Sequence, residues 1–187
     1  MTTKQHEPRI WVTEVISCRR IIVGSTAPDF GGPEFVALDV ADGVLEGRAG
    51  RWLGPVGEEV VMLAEERLGV PMPASYRKFL LTYGSGIVDD LEIYGLGGSR
   101  KGVPNLLWLV DDLREAGLQR PPQLLPFHAE GDGDYSAILA APLHGHPTGS
   151  VIYWSPRRDD EVDVRLAFST LDEWFLSRLG QSRSARE

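Results

Sequence analysis

The sequence predicts an α+β fold, a single domain in which helices pack on a mixed or antiparallel sheet. Residues 58–86 contain two runs of apolar residues at helical spacing, separated by prolines. Short β-rich runs precede and follow this stretch. The chain of 187 residues is 42% hydrophobic and 25% charged, a balance typical of soluble globular proteins. A chain of this length buries roughly 70% of its unfolded surface on folding, so it requires no disulfide or metal.

The first part of the chain is predicted to be a small β unit. Residues 10–23 are β-rich with imperfect alternation, and a turn-rich segment follows. Residues 35–40 form a second predicted strand, and Asp42-Gly43 is a hairpin signal. We therefore assign residues 1–55 to an N-terminal β-rich extension packed on the core.

A helical hairpin is predicted next. In its first helix Val60, Val61, Ala64 and Leu68 form one apolar stripe, and Gly69 stands where a left-handed cap favours glycine. Pro71 and Pro73 stop the first helix, and Pro73 opens the second. The second helix places Tyr76, Phe79, Leu80 and Tyr83 on one face and ends at Gly84, so Phe79 is predicted to be core.

Strands and two further helices are predicted after the hairpin. Residues 86–94 are predicted as one strand, 95–102 as a loop and 105–116 as a helix. Strands are then predicted at 124–127, 135–140, 151–154 and 162–168, with a tight turn at 130–135. Ser169 is the predicted cap of the last helix, paired with Asp172, and residues 180–187 are predicted to be a flexible tail.

The hairpin resembles the opening signature of the SUKH superfamily. The residues that carry the resemblance are Glu65, Leu68, Gly69, Pro71, Pro73, Tyr76, Arg77, Phe79, Leu80, Tyr83, Gly84 and Gly86. Later segments are also similar: LLPF, GDGDY, VIYW and the final helix around Asp172 and Trp174. The resemblance covers residues 56–179, which we assign to a SUKH-like domain. It implies a non-catalytic binding domain, because the superfamily includes bacterial immunity proteins and fungal cell-wall-assembly regulators.

Bulk properties exclude several classes of partner. The net charge of −8 argues against nucleic acid, whose binding rests on Lys and Arg. The chain contains no apolar run near the ~20 residues of a membrane span, and its first ten residues lack the apolar core of a secretory signal, so we expect neither a membrane span nor secretion. The lone Cys18 fits a reducing compartment, so we expect a cytoplasmic protein. The acidic balance is compatible with a basic protein partner. The oligomeric state is not predicted.

The sequence contains no complete catalytic or metal-binding motif. His128, His144 and His146 lack a fourth ligand at metal-binding spacing. Glu130, Asp132 and Asp134 alternate as in a calcium loop, but the required glycine and final glutamate are absent, which predicts a turn. The glycines between 95 and 102 match neither phosphate-binding pattern, and no serine or cysteine has the surroundings of a nucleophile. We expect no catalysis, no metal and no cofactor.

Three segments are candidates for protein binding. Asp89, Asp90 and Glu92 form one acidic run, and Asp159, Asp160, Glu161 and Asp163 form another. Such runs are often only solvated turns, and that alternative stays open. Trp154 is the third candidate, because Arg157 and Arg158 follow it and aromatic residues beside arginine are frequent binding anchors.

The resemblance and these candidates predict a bacterial immunity protein that neutralises a cognate, basic toxin, with nucleases among the toxin classes expected. The alternative is a cytosolic regulatory or scaffold domain like the fungal relatives. An enzyme is a third class, and a nucleotide or metal retained on purification would favour it.

Overall fold

The computed structural model describes residues 50–97, 104–156 and 165–184, with side chains as far as residue 179. This part of the chain forms four helices and seven strands. The helices are α1 (Glu58–Leu68), α2 (Ala74–Tyr83), α3 (Leu106–Glu115) and α4 (Leu171–Ser184). The strands are β1 (Gly50–Trp52), β2 (Gly86–Val88), β3 (Leu91–Ile93), β4 (Leu124–Gly131), β5 (Asp134–Leu139), β6 (Val151–Trp154) and β7 (Arg165–Phe168).

The predicted α+β class is confirmed, and both sheets are antiparallel. One sheet has the order β1-β2-β3 and the other β4-β5-β6-β7. The sheets meet where β3 passes β4, since the Tyr94 N–H donates to the carbonyl of Phe127 at 2.7 Å. The predicted strands at 10–23 and 35–40 lie outside the described residues. Residues 50–52, predicted within the N-terminal extension, add an edge strand to the first sheet.

The helical hairpin forms as predicted. Gly69 adopts a left-handed conformation with φ of 72° after α1. The carboxylate of Glu65 accepts hydrogen bonds from the Met72 backbone at 2.8 Å and from Arg77 at 2.9 Å. One acidic side chain of α1 therefore fixes both the turn and the start of α2.

The predicted strand over residues 86–94 is wrong in one respect, because it is two strands joined by a turn. Asp89 and Asp90 connect β2 to β3, and Asp89 has a φ of 50°. Aspartate tolerates the left-handed region better than most residues, so this pair can reverse the chain without glycine.

The second sheet separates two apolar clusters. Side chains on its strands alternate, so that Ile138 and Val151 join a cluster with α1, α2 and α4, while Ile152 and Trp154 join a cluster with α3. Phe79 lies in the first cluster and is fully buried, which confirms its predicted core position.

The start and end of α4 differ from the prediction. Thr170, rather than Ser169, caps the helix, because its hydroxyl accepts from the Glu173 N–H at 3.2 Å and the helix begins at the next residue. Glu173 reaches back to the Ser169 N–H at 3.0 Å. Residues 180–184, predicted as part of the flexible tail, continue the helix, because Gly180 weakens a helix without ending it.

A candidate protein-binding groove

A solvent-open groove lies between the end of the second sheet and α4. Its volume is about 420 Å³. Strands β5, β6 and β7, the end of β4 and helix α4 all contribute to its walls. The lining residues are Glu130, Asp134, Tyr153, Trp154, Ser155, Arg165 and Arg178.

Strand register explains why these side chains share one face. Ser136 lies opposite Tyr153, and Tyr153 lies opposite Arg165. Because side chains alternate along a strand, Asp134 follows Ser136 on this face and Ser155 follows Tyr153. This face of the second sheet is apolar at Val151 and Ile138, where α4 covers it. Further along the strands, at the groove, the same face is polar.

Helix α4 supplies a hydrogen-bond network that joins the core to the groove. The indole N–H of Trp174 donates to the Ser136 hydroxyl at 2.9 Å, and that hydroxyl donates to Glu130. Arg178, one helical turn after Trp174, forms an ion pair with Glu130 and donates to the Tyr153 hydroxyl at 3.2 Å. The exposed fractions of the paired side chains are 23% for Arg178 and 15% for Glu130.

The network holds Arg178 in one place. Its guanidinium carbon lies 5.8 Å from the centre of the Tyr153 ring and 5.8 Å from that of Trp174. Guanidinium groups are attracted to aromatic faces at such distances. A side chain that is ordered before binding loses little further entropy when a partner arrives. Tyr153 and Arg178 therefore form a pre-ordered pair of the residue types that are enriched at binding hot spots.

Tyr153 provides exposed aromatic surface at the groove, with 36% of the residue exposed. Leu166, on the edge strand β7, is 47% exposed but pairs with Ile152, so it lies on the opposite face of the second sheet. The exposed leucine is therefore not part of the groove surface.

The structure places the predicted binding residues as follows. Trp154 is buried to 1% exposure and packs against Tyr135 at 5.7 Å, so it supports the groove from the core. Its neighbour Tyr153 carries the exposed ring.

The first acidic run lies elsewhere. Asp89 and Asp90 form the β2–β3 turn, and Glu92 is exposed on β3. None of these three lines the groove. The second acidic run, Asp159, Asp160, Glu161 and Asp163, lies outside the described residues.

The histidines occupy separate environments. His128 is buried on β4, where its Nδ1 lies 2.8 Å from the Glu92 carbonyl and its ring meets that of Trp174 at 5.2 Å. His144 and His146 lie in the turn after β5. Across residues 50–97, 104–156 and 165–184, no group of three or more His, Cys, Asp or Glu side chains is arranged to hold a metal ion. Within the same ranges, no helix has the length and apolarity needed to cross a bilayer.

Of the seven groove residues, the sequence interpretation proposed only Trp154 for binding; it missed Glu130, Asp134, Tyr153, Ser155, Arg165 and Arg178. One signal for Tyr153 was available, since alternation in Val-Ile-Tyr-Trp puts Tyr153 and Trp154 on opposite faces. The spacing of Trp174 and Arg178 by four positions likewise indicates one shared helix face.

Comparison with known proteins gives a family and a fold. A family model described as SMI1-KNR4 cell-wall (SUKH_5) matches residues 41–179. The chain is also similar to a solved structure described as a protein from Pseudomonas syringae pv. tomato, with a TM-score of 0.52 and 20% identity. That alignment covers 75% of this chain and 95% of the other, and at this identity it supports the fold alone. The search of curated proteins gave no match.

Proposed function

The chain belongs to the SUKH_5 family, described as SMI1-KNR4 cell-wall, and from this premise we propose that it is a non-catalytic protein-binding domain that acts as a bacterial immunity protein. Its partner is a cognate toxin with a basic surface, such as a nuclease, and the two meet in the cytoplasm. The family resemblance motivates the immunity role, because bacterial members of the superfamily include immunity proteins.

The observation that carries the binding role is the pre-ordered Tyr153–Arg178 pair at an open groove. Binding hot spots are enriched in tyrosine and arginine, and they favour side chains already held in their bound conformation. The net charge of −8 supports a basic partner, because opposite fields accelerate encounter.

A neutralisation titration tests this proposal. A candidate toxin is sought among the products of the genes next to the one that encodes this chain, and its activity is measured while this protein is added stepwise. A stoichiometric inhibitor abolishes activity at one equivalent, and the inhibition does not progress with time. Calorimetry with a catalytically inactive toxin should give the same stoichiometry.

Two results would contradict the proposal. Full toxin activity at several equivalents of folded protein would exclude the immunity role. Progressive inactivation of toxin by a small fraction of an equivalent would indicate an enzyme instead of an inhibitor.

A regulatory or scaffold role is the second candidate, and the words "cell-wall" in the family description favour it. In that case the partner would be an endogenous protein of the same cell. Deleting the gene for this chain would then alter growth in the absence of any toxin. An immunity role instead predicts a growth defect only when the toxin is present.

A further inference from the structure

The groove contains one carboxylate that is not engaged by the network around Arg178. The charge of Arg178 is balanced by Glu130, and Arg165 has an interaction partner of its own. Among the described residues, the carboxylate of Asp134 has neither an ion-pair nor a hydrogen-bond partner. It is only partly exposed and lines the groove. A carboxylate held in a concave, partly enclosed site without a counter-ion is best stabilised by a cation from outside.

A further acceptor lies on the same face as Asp134. Ser155 follows Tyr153 on β6, which runs antiparallel beside β5. Tyr135 of β5 pairs with Trp154 of β6. Because the strands are antiparallel, moving one residue back along β5 and one forward along β6 places Asp134 beside Ser155. The Ser155 hydroxyl can accept a hydrogen bond, whereas the Tyr153 hydroxyl already accepts one from Arg178. Beside the Glu130–Arg178 pair, the groove therefore offers one carboxylate without a counter-ion and a neutral acceptor next to it.

We infer that the groove holds an arginine side chain presented by the protein partner, with Asp134 as its counter-ion. A guanidinium group carries five N–H donors in a planar fork, which can serve the Asp134 carboxylate and the neighbouring Ser155 hydroxyl together. The volume of about 420 Å³ is at the small end of ligand pockets, which span roughly 300–1,000 Å³, so it has room for one long side chain. This inference rests on the proposed function in naming the toxin as the partner, while the affinity for arginine is a property of the groove itself.

A titration with a minimal probe tests the inference without the toxin. N-acetyl-arginine methylamide is added to the isotopically labelled full-length protein, and backbone amide shifts are followed by NMR. The expected result is a saturable shift at Asp134, Tyr153 and Ser155. The neutral citrulline analogue has nearly the same shape but no charge, and it should cause no saturable shift there.

Asp134→Asn and Asp132→Asn form the matched pair of variants. Both remove one negative charge from the same hairpin, but only Asp134 lines the groove. Asp134→Asn should lower the affinity for the arginine probe by about two- to fivefold, as expected for an ion pair open to solvent. Asp132→Asn should bind the probe like the unaltered protein. Melting curves of both variants establish that they are folded.

Three results would overturn the inference: shifts away from the groove, an equal loss in both variants, or equal binding of citrulline. A marked loss of thermal stability in Asp134→Asn alone would also overturn it, because this chain would then supply the cation. The two proposals fail in different ways. If only the inference is wrong, the protein still neutralises its toxin and Asp134→Asn is equally effective. If only the immunity role is wrong, the arginine probe still binds.

Discussion

Trp174 and Ser136, 38 positions apart, are joined by a buried 2.9 Å hydrogen bond from the indole nitrogen to the serine hydroxyl. The same hydroxyl donates to Glu130, whose other oxygen is paired with Arg178. A core side chain of α4 is thereby connected to the groove through a single hydroxyl. The geometry of the groove consequently depends on a residue that does not line it.

Ser136→Ala should reduce the free energy of unfolding by about 1–3 kcal/mol, the cost of leaving a buried polar group unsatisfied. The indole N–H of Trp174 would lose its acceptor, and Glu130 would lose one donor. Urea unfolding followed by tryptophan fluorescence measures the change.

Ser75→Ala is the matched control for this measurement. The Ser75 hydroxyl is also buried, and it has no hydrogen-bond partner among the described residues. Removing it breaks no hydrogen bond and leaves no partner unsatisfied, so the free energy of unfolding should not fall. Equal losses in the two variants would show that the Trp174–Ser136 bond is not a significant contribution.

Gly95→Ala should destabilise the fold by about 3 kcal/mol, through overpacking against backbone that cannot easily move. A Cβ at Gly95 would overlap the carbonyl oxygen of Gly84, which accepts the Leu96 N–H at 3.0 Å. Gly117→Ala is the control, because its φ is 77° but its Cβ would meet open space. That variant should lose only about 1 kcal/mol from left-handed strain. A Gly95→Ala variant as stable as Gly117→Ala would contradict the prediction.

Stability should fall in alkali because of two tyrosines. Burial, with a smaller contribution from Glu92, raises the pKa of Tyr94 from 10.0 to about 12, and burial raises the pKa of Tyr76 in the same direction. The folded chain holds these protons more tightly than the unfolded chain does. The resulting stability is therefore fully present below pH 10 and is lost as the pH rises towards 12.

Denaturant unfolding at a series of pH values checks this, with Tyr76→Phe as the informative variant. This variant loses the 2.5 Å hydrogen bond to the Tyr94 carbonyl, which costs about 1 kcal/mol at neutral pH. Its free energy of unfolding should, however, fall less steeply with rising pH than that of the unaltered protein. Tyr153→Phe removes an exposed phenol and should keep the full decline. Identical slopes in all three proteins would exclude the buried tyrosines as the cause.

The elements that local spacing determines were predicted well. Helices α1 and α2 follow from apolar residues three and four positions apart and from Gly69 and Gly84 at their ends. The turn at Asp89 and Asp90 was missed because two aspartates without glycine are a weak hairpin signal. Its existence depends on pairing between β2 and β3, which the alternation alone does not specify.

The groove could not be predicted because its parts are distant in sequence. Arg178 and Glu130 are 48 positions apart, and only the packing of α4 on the second sheet brings them together. The same packing decides which face of β6 is open to solvent. Trp154 was preferred over Tyr153 because sequence shows alternation but not which face a helix will cover.

The β2–β3 turn provides the last prediction, which concerns the steering of a basic toxin. Association should be at least about tenfold faster at about 50 mM than at about 500 mM salt, where Debye lengths are roughly 14 and 4 Å. Asp90 and Glu92 are exposed, so Asp90→Lys with Glu92→Lys reverses the local field. Asp89 is left unchanged in this variant, because its φ of 50° would strain a lysine.

Surface plasmon resonance with inactive toxin separates the possible contacts. If the turn lies at the rim, the reversed variant associates more slowly and dissociates at an unchanged rate, since rim charges act mainly on encounter. If it is buried against the toxin, dissociation accelerates instead.

Glu66→Lys with Glu59→Lys is the control, because it makes the same charge change on the exposed face of α1. Equal slowing in both variants would mean that total charge steers the toxin. An association rate insensitive to salt and to both variants would show that the acidic turn is only solvated, and would leave the groove at Tyr153 as the contact to examine.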